Sequence, residues 1–366
     1  MSILWWESHI LLLPLSKIIQ TMAEKIKGRT EIAELGEFGL IDKLTAAFAK
    51  PSRKSTICGV GDDAAVIEAS RDTALVVSTD SMLEGIDFDL TYFPPKHLGY
   101  KAVTKGISDI VAMNATPEQI TLALGISSKL SVEFLTDFYA GVEFACREAN
   151  VDLVGGDTSA SVTGFTINIT AVGRAKRRNV VYRSGAKTND LICITGNLGA
   201  AYMGLQLLER EKYVLGGMNN PQPKFDGYEY LLERYLKPRA RYDVVESLAE
   251  EGLVPTSMID LTDGLASDVL QICKASKCGA RIYLERMPFA KQTSALAEEM
   301  NTDPVVAALN GGEDYELLFT LPLEAREKIA ALGCIDIIGH ITDEAAGAVL
   351  VTPDGSDIAL RAQGFR

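Results

Sequence analysis

Short apolar runs with a strand pattern alternate with longer amphipathic helical segments along most of this 366-residue chain. Residues 73–79 (TALVVST) are rich in β-branched side chains, which is typical of a buried strand. Residues 98–111 place apolar side chains at three- and four-residue steps, which predicts an amphipathic helix. The same alternation continues through a second helix at 132–149 and a strand at 165–174. It predicts an α/β fold.

The length predicts two domains, since one domain takes about 150 residues. A basic, turn-rich stretch at 175–189 is the predicted boundary. We therefore expect an N-terminal domain over 31–175 and a C-terminal α+β domain over 176–366. Residues 1–30 are expected to form a poorly ordered extension.

Composition excludes several classes of protein. The net charge is −13 and the pI about 4.9, which argues against nucleic acid or an anionic membrane as the main partner. None of the three histidines lies beside a polar cluster, so a histidine triad or zinc site is not indicated. The six cysteines form no C-x-x-C pair, which favours reduced thiols in a cytoplasmic protein. No apolar run is long enough to cross a membrane.

Aspartates recur in or beside Gly, Ser and Thr turns, mostly where apolar runs end. The sequence has neither a G-x-G-x-x-G motif nor a P-loop. Gathering like charges raises their pKa values and destabilises a site, so a divalent cation is needed to offset the repulsion. Oxygen ligands without His or Cys favour Mg²⁺, which commonly bridges carboxylates to phosphates. The turn aspartates are Asp62, Asp63, Asp80, Asp157, Asp260 and Asp263.

Each of these features also has a purely structural interpretation. A single aspartate is a common turn residue or helix N-cap. Asp109, four residues after Lys105 in the predicted helix, could form an exposed ion pair with it. The acidic run 311–316 could be an exposed turn, and Arg183 could be an ordinary surface arginine.

Eight motifs in order and spacing resemble those of the thiamine-monophosphate kinase family, in the superfamily of aminoimidazole ribonucleotide synthetase. The resemblance covers the chain from about Glu34 to its C-terminus. The motifs are Gly36–Ile41 (GEFGLI), Gly61–Ala65 (GDDAA), Ser78–Asp80 (STD), Ser108–Met113 (SDIVAM), Gly155–Thr158 (GGDT), Arg183–Lys187 (RSGAK), Ile259–Leu265 (IDLTDGL) and Gly311–Leu317 (GGEDYEL).

The resemblance implies Mg²⁺-dependent transfer of the ATP γ-phosphoryl group to thiamine monophosphate. It also implies a homodimer in which mixed N-terminal sheets join into a barrel, with the active site between the two domains. By the same resemblance, the metal ligands are Asp63, Thr79, Asp80, Asp109, Asp157, Asp260 and Asp263, with Ser78 nearby. ATP is expected at Tyr139, Gly156, Arg183 and Thr262, and thiamine at Asp87, Glu313 and Phe365. Asp87 stands where many relatives have His, and Gly106 where they usually have Asn.

The chemistry requires no general base, because a phosphate acceptor is largely ionised at pH 7. We therefore expect no catalytic residue beyond metal ligands and positioning groups, and direct in-line transfer without a phosphoenzyme. Two alternatives stay open: another ATP-dependent member of the superfamily, such as aminoimidazole ribonucleotide synthetase, and a non-catalytic acidic scaffold of the same fold.

Overall fold

The computed structural model describes residues 32–216, 223 and 225–362. The expected extension over 1–30 lies outside these residues, as does Phe365. Among the described helices, none combines the length and the apolar character that a membrane span requires.

Helix α1 (Ile32–Thr45) belongs to a small unit of its own, separate from residues 47–363. Gly36 interrupts the helix with φ 65° and ψ −179°, a conformation that other residues rarely adopt.

The first sheet has six strands in the order β1-β2-β3-β6-β4-β5, with β4 and β5 parallel and the other pairs antiparallel. It is therefore mixed, as predicted. Its strands are β1 (Thr56–Cys58), β2 (Ala65–Glu68), β3 (Thr73–Leu83), β4 (Thr116–Ser127), β5 (Asp152–Ser161) and β6 (Thr166–Lys176).

Two long helices, α2 (Pro95–Ala112) and α3 (Val132–Ala149), pack together, and α2 lies against the sheet. Glycines allow the two helices to approach closely. A Cβ at Gly99 would overlap the backbone oxygen of Phe138, and one at Gly141 would overlap that of Lys96. Ser131 caps α3 by accepting a hydrogen bond from the Phe134 N–H at 3.2 Å.

Strands β3 and β5 run further than the sequence predicts. Asp80 was expected to end its strand, but β3 pairs with β6 in unbroken register as far as Leu83. Asp157 was expected in or beside a turn, yet the Gly155–Thr158 segment lies within β5 and pairs with β4. Pairing with a neighbouring strand overrides the turn preference of Gly and Asp in both places.

The second sheet has seven strands in the order β13-β12-β9-β11-β7-β10-β8, and only β12 and β9 among its described pairs are parallel. Its strands are β7 (Leu191–Thr195), β8 (Ser257–Asp260), β9 (Cys278–Tyr283), β10 (Leu317–Leu321), β11 (Ile335–Asp343), β12 (Ala348–Val351) and β13 (Asp357–Ala359). The helices of this half are α4 (Ala200–Leu215), α5 (Glu229–Leu236), α6 (Tyr242–Glu250), α7 (Leu265–Ser276), α8 (Lys291–Glu299), α9 (Pro304–Asn310) and α10 (Arg326–Leu332).

Both faces of the second sheet are buried. On one face, Ile194, Ile259 and Leu318 pack with apolar side chains of α7. On the other, Cys193, Met258 and Phe319 join a core that continues into the first sheet and α2. All described strands up to Lys176 belong to the first sheet and all those from Leu191 to the second. The shared core brings the ends of α2 and β8 together.

Candidate active site

Three aspartates distant in sequence form the centre of the site. Asp63 lies in the loop before β2, Asp109 near the end of α2, and Asp260 at the last residue of β8. One carboxylate oxygen from each lies within 4.8 Å of the others. Asp63 and Asp260 are buried and Asp109 is partly buried. This arrangement offers oxygen ligands of the kind that Mg²⁺ prefers.

Asp80 in β3 lies beside these three carboxylates and interacts electrostatically with Asp260. Its Oδ2 atom is buried without a hydrogen-bond partner, and so is Oδ2 of Asp63. Buried carboxylate oxygens are costly when they are left unpaired. Their position next to other carboxylates therefore fits a cation that would satisfy them.

The pKa values of these acids are raised, chiefly by burial. The pKa of Asp63 is raised to about 6 although Arg183 opposes the shift, and that of Asp80 to about 6 although Lys105 opposes it. Burial and the charge of Asp63 raise the pKa of Asp260 to about 7.

Asp109 shows the same effect. Burial, then the charges of Asp260 and Asp80, raise its pKa well above the ordinary 3.8. The cluster is thus a set of mutually repelling acids held together by the fold.

Two serine hydroxyls orient the cluster. Ser78, in β3, donates a hydrogen bond to Oδ2 of Asp109, and Ser108 donates one to Oδ2 of Asp260. Both serines are buried, so the two carboxylates are held at defined positions. Ser108 was part of a recognised motif but was not predicted to act here. Its contact joins α2 to β8, which the sequence does not show.

Arg183 is the cation of the cluster rather than an ordinary surface arginine. Its Nε and Nη2 donate hydrogen bonds to Oδ1 of Asp63 at 3.0 and 2.5 Å. Its backbone N–H contacts both carboxylate oxygens of Asp62, at 3.1 and 3.3 Å. Asp62 therefore fixes the backbone of Arg183, while Asp63 fixes the guanidinium.

A second group of charges lies next to the cluster. Lys105 Nζ is 3.5 Å from Oδ1 of Asp87, and Lys101 Nζ is 2.5 Å from Oε2 of Glu313. The exposed Lys105–Asp109 pair considered from the sequence is not formed, because Asp109 bonds to Ser78 and Lys105 turns to Asp87. Asp87 and Glu313, both expected at the thiamine site, are thus brought together through two lysines of α2. Neither lysine was predicted.

The segment 311–316 is not an exposed acidic turn, since Asp314 and Glu316 are buried. Asp314 accepts backbone hydrogen bonds from Gly199 and Ala201 at the start of α4, at 2.7 and 3.2 Å. Glu316 pairs with Arg234 at 2.8 Å and Arg241 at 2.5 Å.

The backbone of the 311–316 segment is strained, with φ 58° at Glu313 and 51° at Tyr315. The buried acids anchor this strained segment and so fix the direction of Glu313.

The remaining predicted residues lie outside the three-carboxylate centre. The Thr262 backbone carbonyl accepts the Glu313 N–H at 2.9 Å. Asp263 is an exposed residue, and partial desolvation of its carboxyl group by the surrounding protein raises its pKa. The Thr79 hydroxyl donates to the Ile169 carbonyl at 3.2 Å in the first sheet. Tyr139 is exposed on α3 with its ring against Phe138.

Asp157 and Gly156 lie on β5, which β6 and β4 separate from Asp80 on β3. Three strand spacings in a sheet correspond to about 14 Å. The exposed Asp157 carboxylate accepts a hydrogen bond from Ser159 at 3.3 Å. Asp157 thus lies apart from the three central carboxylates within one chain.

Another acid near the cluster escaped sequence analysis. Asp268, in the first turn of α7, is buried, and burial followed by the charges of Asp263 and Asp260 raises its pKa well above 3.8. Its Oδ2 atom has no hydrogen-bond partner in the described structure. Only its place one turn after the IDLTDGL motif could have drawn attention to it.

Comparison with known families defines the class of this chain. Residues 61–175 match AIR synthase related protein, N-terminal domain, and residues 190–352 match AIR synthase related protein, C-terminal domain. The chain is thus a two-domain protein related to AIR synthase. Hydrogenase maturation protein HypE in complex with ATP shares this fold at 21% identity and a TM-score of 0.64.

Individual relatives narrow the class further. Thiamine-monophosphate kinase of Buchnera aphidicola subsp. Schizaphis graminum is 35% identical over 341 residues, which cover 91% of this chain and 98% of the relative. That of Escherichia coli K12 is 34% identical over 339 residues, covering 90% and 97%. The structure of AaThiL complexed with AMPPCP and TMP is similar at a TM-score of 0.78 and 30% identity, covering 92% and 99%. The chain belongs to the thiamine-monophosphate kinase family and is a phosphotransferase.

Proposed function

We propose that this chain transfers the γ-phosphoryl group of ATP to thiamine monophosphate, giving thiamine diphosphate and ADP. The observation that carries the proposal is the meeting of Asp63, Asp109 and Asp260 within 4.8 Å. Kinases of this chemistry depend on positioning and on neutralising phosphate charge. A buried acidic cluster with unpaired oxygens, flanked by Arg183 and two lysines, is suited to that task.

Asp63, Asp80, Asp109 and Asp260 would hold Mg²⁺, with Asp263 close to them. Thr79 lies on the opposite face of β3 from Ser78 and Asp80, where its hydroxyl contacts Ile169 and Thr170. Such a cation would offset the negative charge of the ATP phosphates. The unpaired Oδ2 atoms of Asp63 and Asp80 support this assignment. Asp157 would join these ligands only if β5 is rearranged or approached by another copy of the chain.

The residues of the chain bind and orient the two substrates. Arg183, half-buried beside Asp63, would contact a phosphate of ATP, and Tyr139, Gly156 and Thr262 would complete the ATP site. Asp87, Glu313 and Phe365 would hold thiamine, whose thiazolium ring carries a positive charge.

The transfer is direct, because an ionised acceptor phosphate needs no base to remove a proton. Of the described histidines, His340 stacks on Tyr283 in the second sheet, and His97 lies in the first turn of α2. In the described structure, neither ring makes a hydrogen bond to the acidic cluster. We therefore assign no general base and no phosphoenzyme.

The active form would be a homodimer in the cytoplasm. Strand β5 is the edge of the first sheet, and its side chains are exposed almost throughout. Leu153 and Val154 are 41% and 60% exposed there. A long exposed edge strand is a template for pairing with another chain. Pairing across β5 would join two N-terminal sheets into a barrel.

The test is a product assay by mass spectrometry with Mg·ATP and either thiamine monophosphate or formylglycinamidine ribonucleotide. We expect thiamine diphosphate and ADP from the first substrate and no turnover of the second. Asp260→Asn should lower kcat by about a hundredfold or more. The control Asp354→Asn, in an exposed turn, should behave as the wild type. Turnover of the ribonucleotide, or a phosphoprotein after rapid quenching, contradicts the proposal.

A further inference from the structure

Lys105 lies where the acidic cluster and the expected thiamine site meet. It is on α2, one turn before Asp109, and its ammonium group interacts electrostatically with Glu313, Asp87 and Asp80. Lys105 also interacts electrostatically with Asp263. Lys105 thus lies between the acids proposed for the ATP and Mg²⁺ site and those proposed to bind the acceptor. None of the recognised motifs assigns it a role.

The two lysines of α2 differ in how firmly they are held. Lys101 is fully buried, with Nζ 2.5 Å from Glu313 and 3.9 Å from the centre of the Tyr235 ring. Lys105 is partly exposed, and its ion pair with Asp87 is 3.5 Å long. Lys101 is therefore a fixed structural cation, whereas Lys105 can exchange its partner at little cost.

Asp87 is held independently of Lys105. Its Oδ2 accepts the backbone N–H of Leu83 at 2.8 Å, while Oδ1 faces Lys105. Loss of the lysine contact would leave this carboxylate in place with a negative charge available. The pair therefore presents one positive and one negative group side by side.

We propose that the Asp87–Lys105 pair selects an acceptor that carries both charges, with Lys105 binding its phosphate and Asp87 its cationic ring. The inference rests on the proposed function, since thiamine monophosphate joins a positive thiazolium ring to a phosphate. In the free enzyme the two side chains neutralise each other. When the acceptor binds, the Asp87–Lys105 ion pair is replaced by two others, one between Lys105 and the phosphate and one between Asp87 and the cationic ring.

The proposal predicts that the loss of Lys105 weakens binding of only one of two ligands that differ only in the phosphate. Loss of a charged hydrogen bond to phosphate should raise KM for thiamine monophosphate by about ten- to a hundredfold. Unphosphorylated thiamine, used as a competitive inhibitor, lacks the group that Lys105 would bind. Its Ki should stay unchanged or fall, because Asp87 is then free of its competitor.

The experiment compares Lys105→Met with the wild type at saturating Mg·ATP, and measures KM, kcat and the Ki of thiamine. Lys105→Arg should restore most of the affinity for thiamine monophosphate. Lys96→Met, the same change on an exposed position of α2, is the matched control and should alter nothing. If Lys105→Met does not fold, Lys105→Gln provides the same two measurements.

An unchanged KM in a folded Lys105 variant overturns the inference, and so does equal weakening of both ligands, which would indicate general damage to the site. These outcomes are distinct from failure of the proposed function, in which the wild type itself does not phosphorylate thiamine monophosphate.

Discussion

Arg183→Met tests whether one guanidinium stabilises the buried acid at the centre of the site. Nε and Nη2 of Arg183 lie 3.0 and 2.5 Å from Oδ1 of Asp63, whose side chain is 0% exposed. Methionine keeps much of the side-chain volume but leaves Asp63 without its cation. Removing one partner of a buried ion pair costs about 3–5 kcal/mol. Since Arg183 is itself 20% exposed, we expect the lower end, about 3 kcal/mol.

The loss should depend on pH in a defined direction. The pKa of Asp63 is about 6 in the folded protein against an ordinary 3.8. Between these values the folded chain holds a proton that the unfolded chain has released, so the free energy of unfolding falls as pH rises. Without Arg183 the pKa of Asp63 in the folded protein rises further, so the free energy of unfolding keeps falling up to a higher pH. The variant should thus lose about 3 kcal/mol at pH 8 but less than about 1 kcal/mol at pH 5.

Thermal unfolding followed by circular dichroism at pH 5 and pH 8, with EDTA to remove divalent cations, measures this difference. At about 2–4 °C per kcal/mol, Tm should fall by about 6–12 °C at pH 8. The double variant Asp63→Asn/Arg183→Met carries no charge at these two positions and should be more stable at pH 8 than Arg183→Met alone. An equal fall in Tm at both pH values, or a still less stable double variant, would refute the reasoning.

Two further changes test the strands and the cation. Gly156→Ala should destabilise β5, because the added Cβ would overlap the facing carbonyl of β4. Gly155→Ala should have only a small effect, because its Cβ would lie 3.9 Å from its nearest neighbour. Hydrogen exchange of the β5 amides distinguishes the two variants. Mg²⁺ at a hundredfold its Kd should stabilise the wild type by about 2.7 kcal/mol. Without Mg²⁺, Asp109→Asn should be more stable than the wild type, and Mg²⁺ should stabilise this variant less. Differential scanning calorimetry checks both effects.

Local pattern predicted the helices that position the site better than it predicted the strands. The apolar period of α2 and the capping Ser131 of α3 are signals contained in a few consecutive residues. The continuation of β5 through Gly156 is not local, since it depends on parallel pairing with β4. Two glycines and an aspartate favour a loop when they are considered alone. Only the neighbouring strand reveals that the missing side chain is what allows the backbones to meet.

The buried acids of the 311–316 segment show the same limit for the site. Three acids and two glycines in a row resemble an exposed turn, and nothing nearby in sequence contradicts that interpretation. The partners of Glu316 are Arg234 and Arg241, which lie in another part of the chain, and the buried Thr195 hydroxyl. The motif located the segment, but burial of Asp314 and Glu316 explains why only Glu313 faces the lysines.

The distribution of cations explains how the acidic centre can fold and still accept a ligand. Arg183 is bonded to Asp63 on one side, and Lys105 pairs with Asp87 on the other. Asp109 and Asp260 between them have serine hydroxyls as hydrogen-bond donors, which orient a carboxylate without neutralising it. Burial, followed by the charges of neighbouring carboxylates, raises the pKa values of both acids. Binding of a divalent cation would therefore release protons from the cluster and supply the positive charge that Asp109 and Asp260 lack as hydrogen-bond partners.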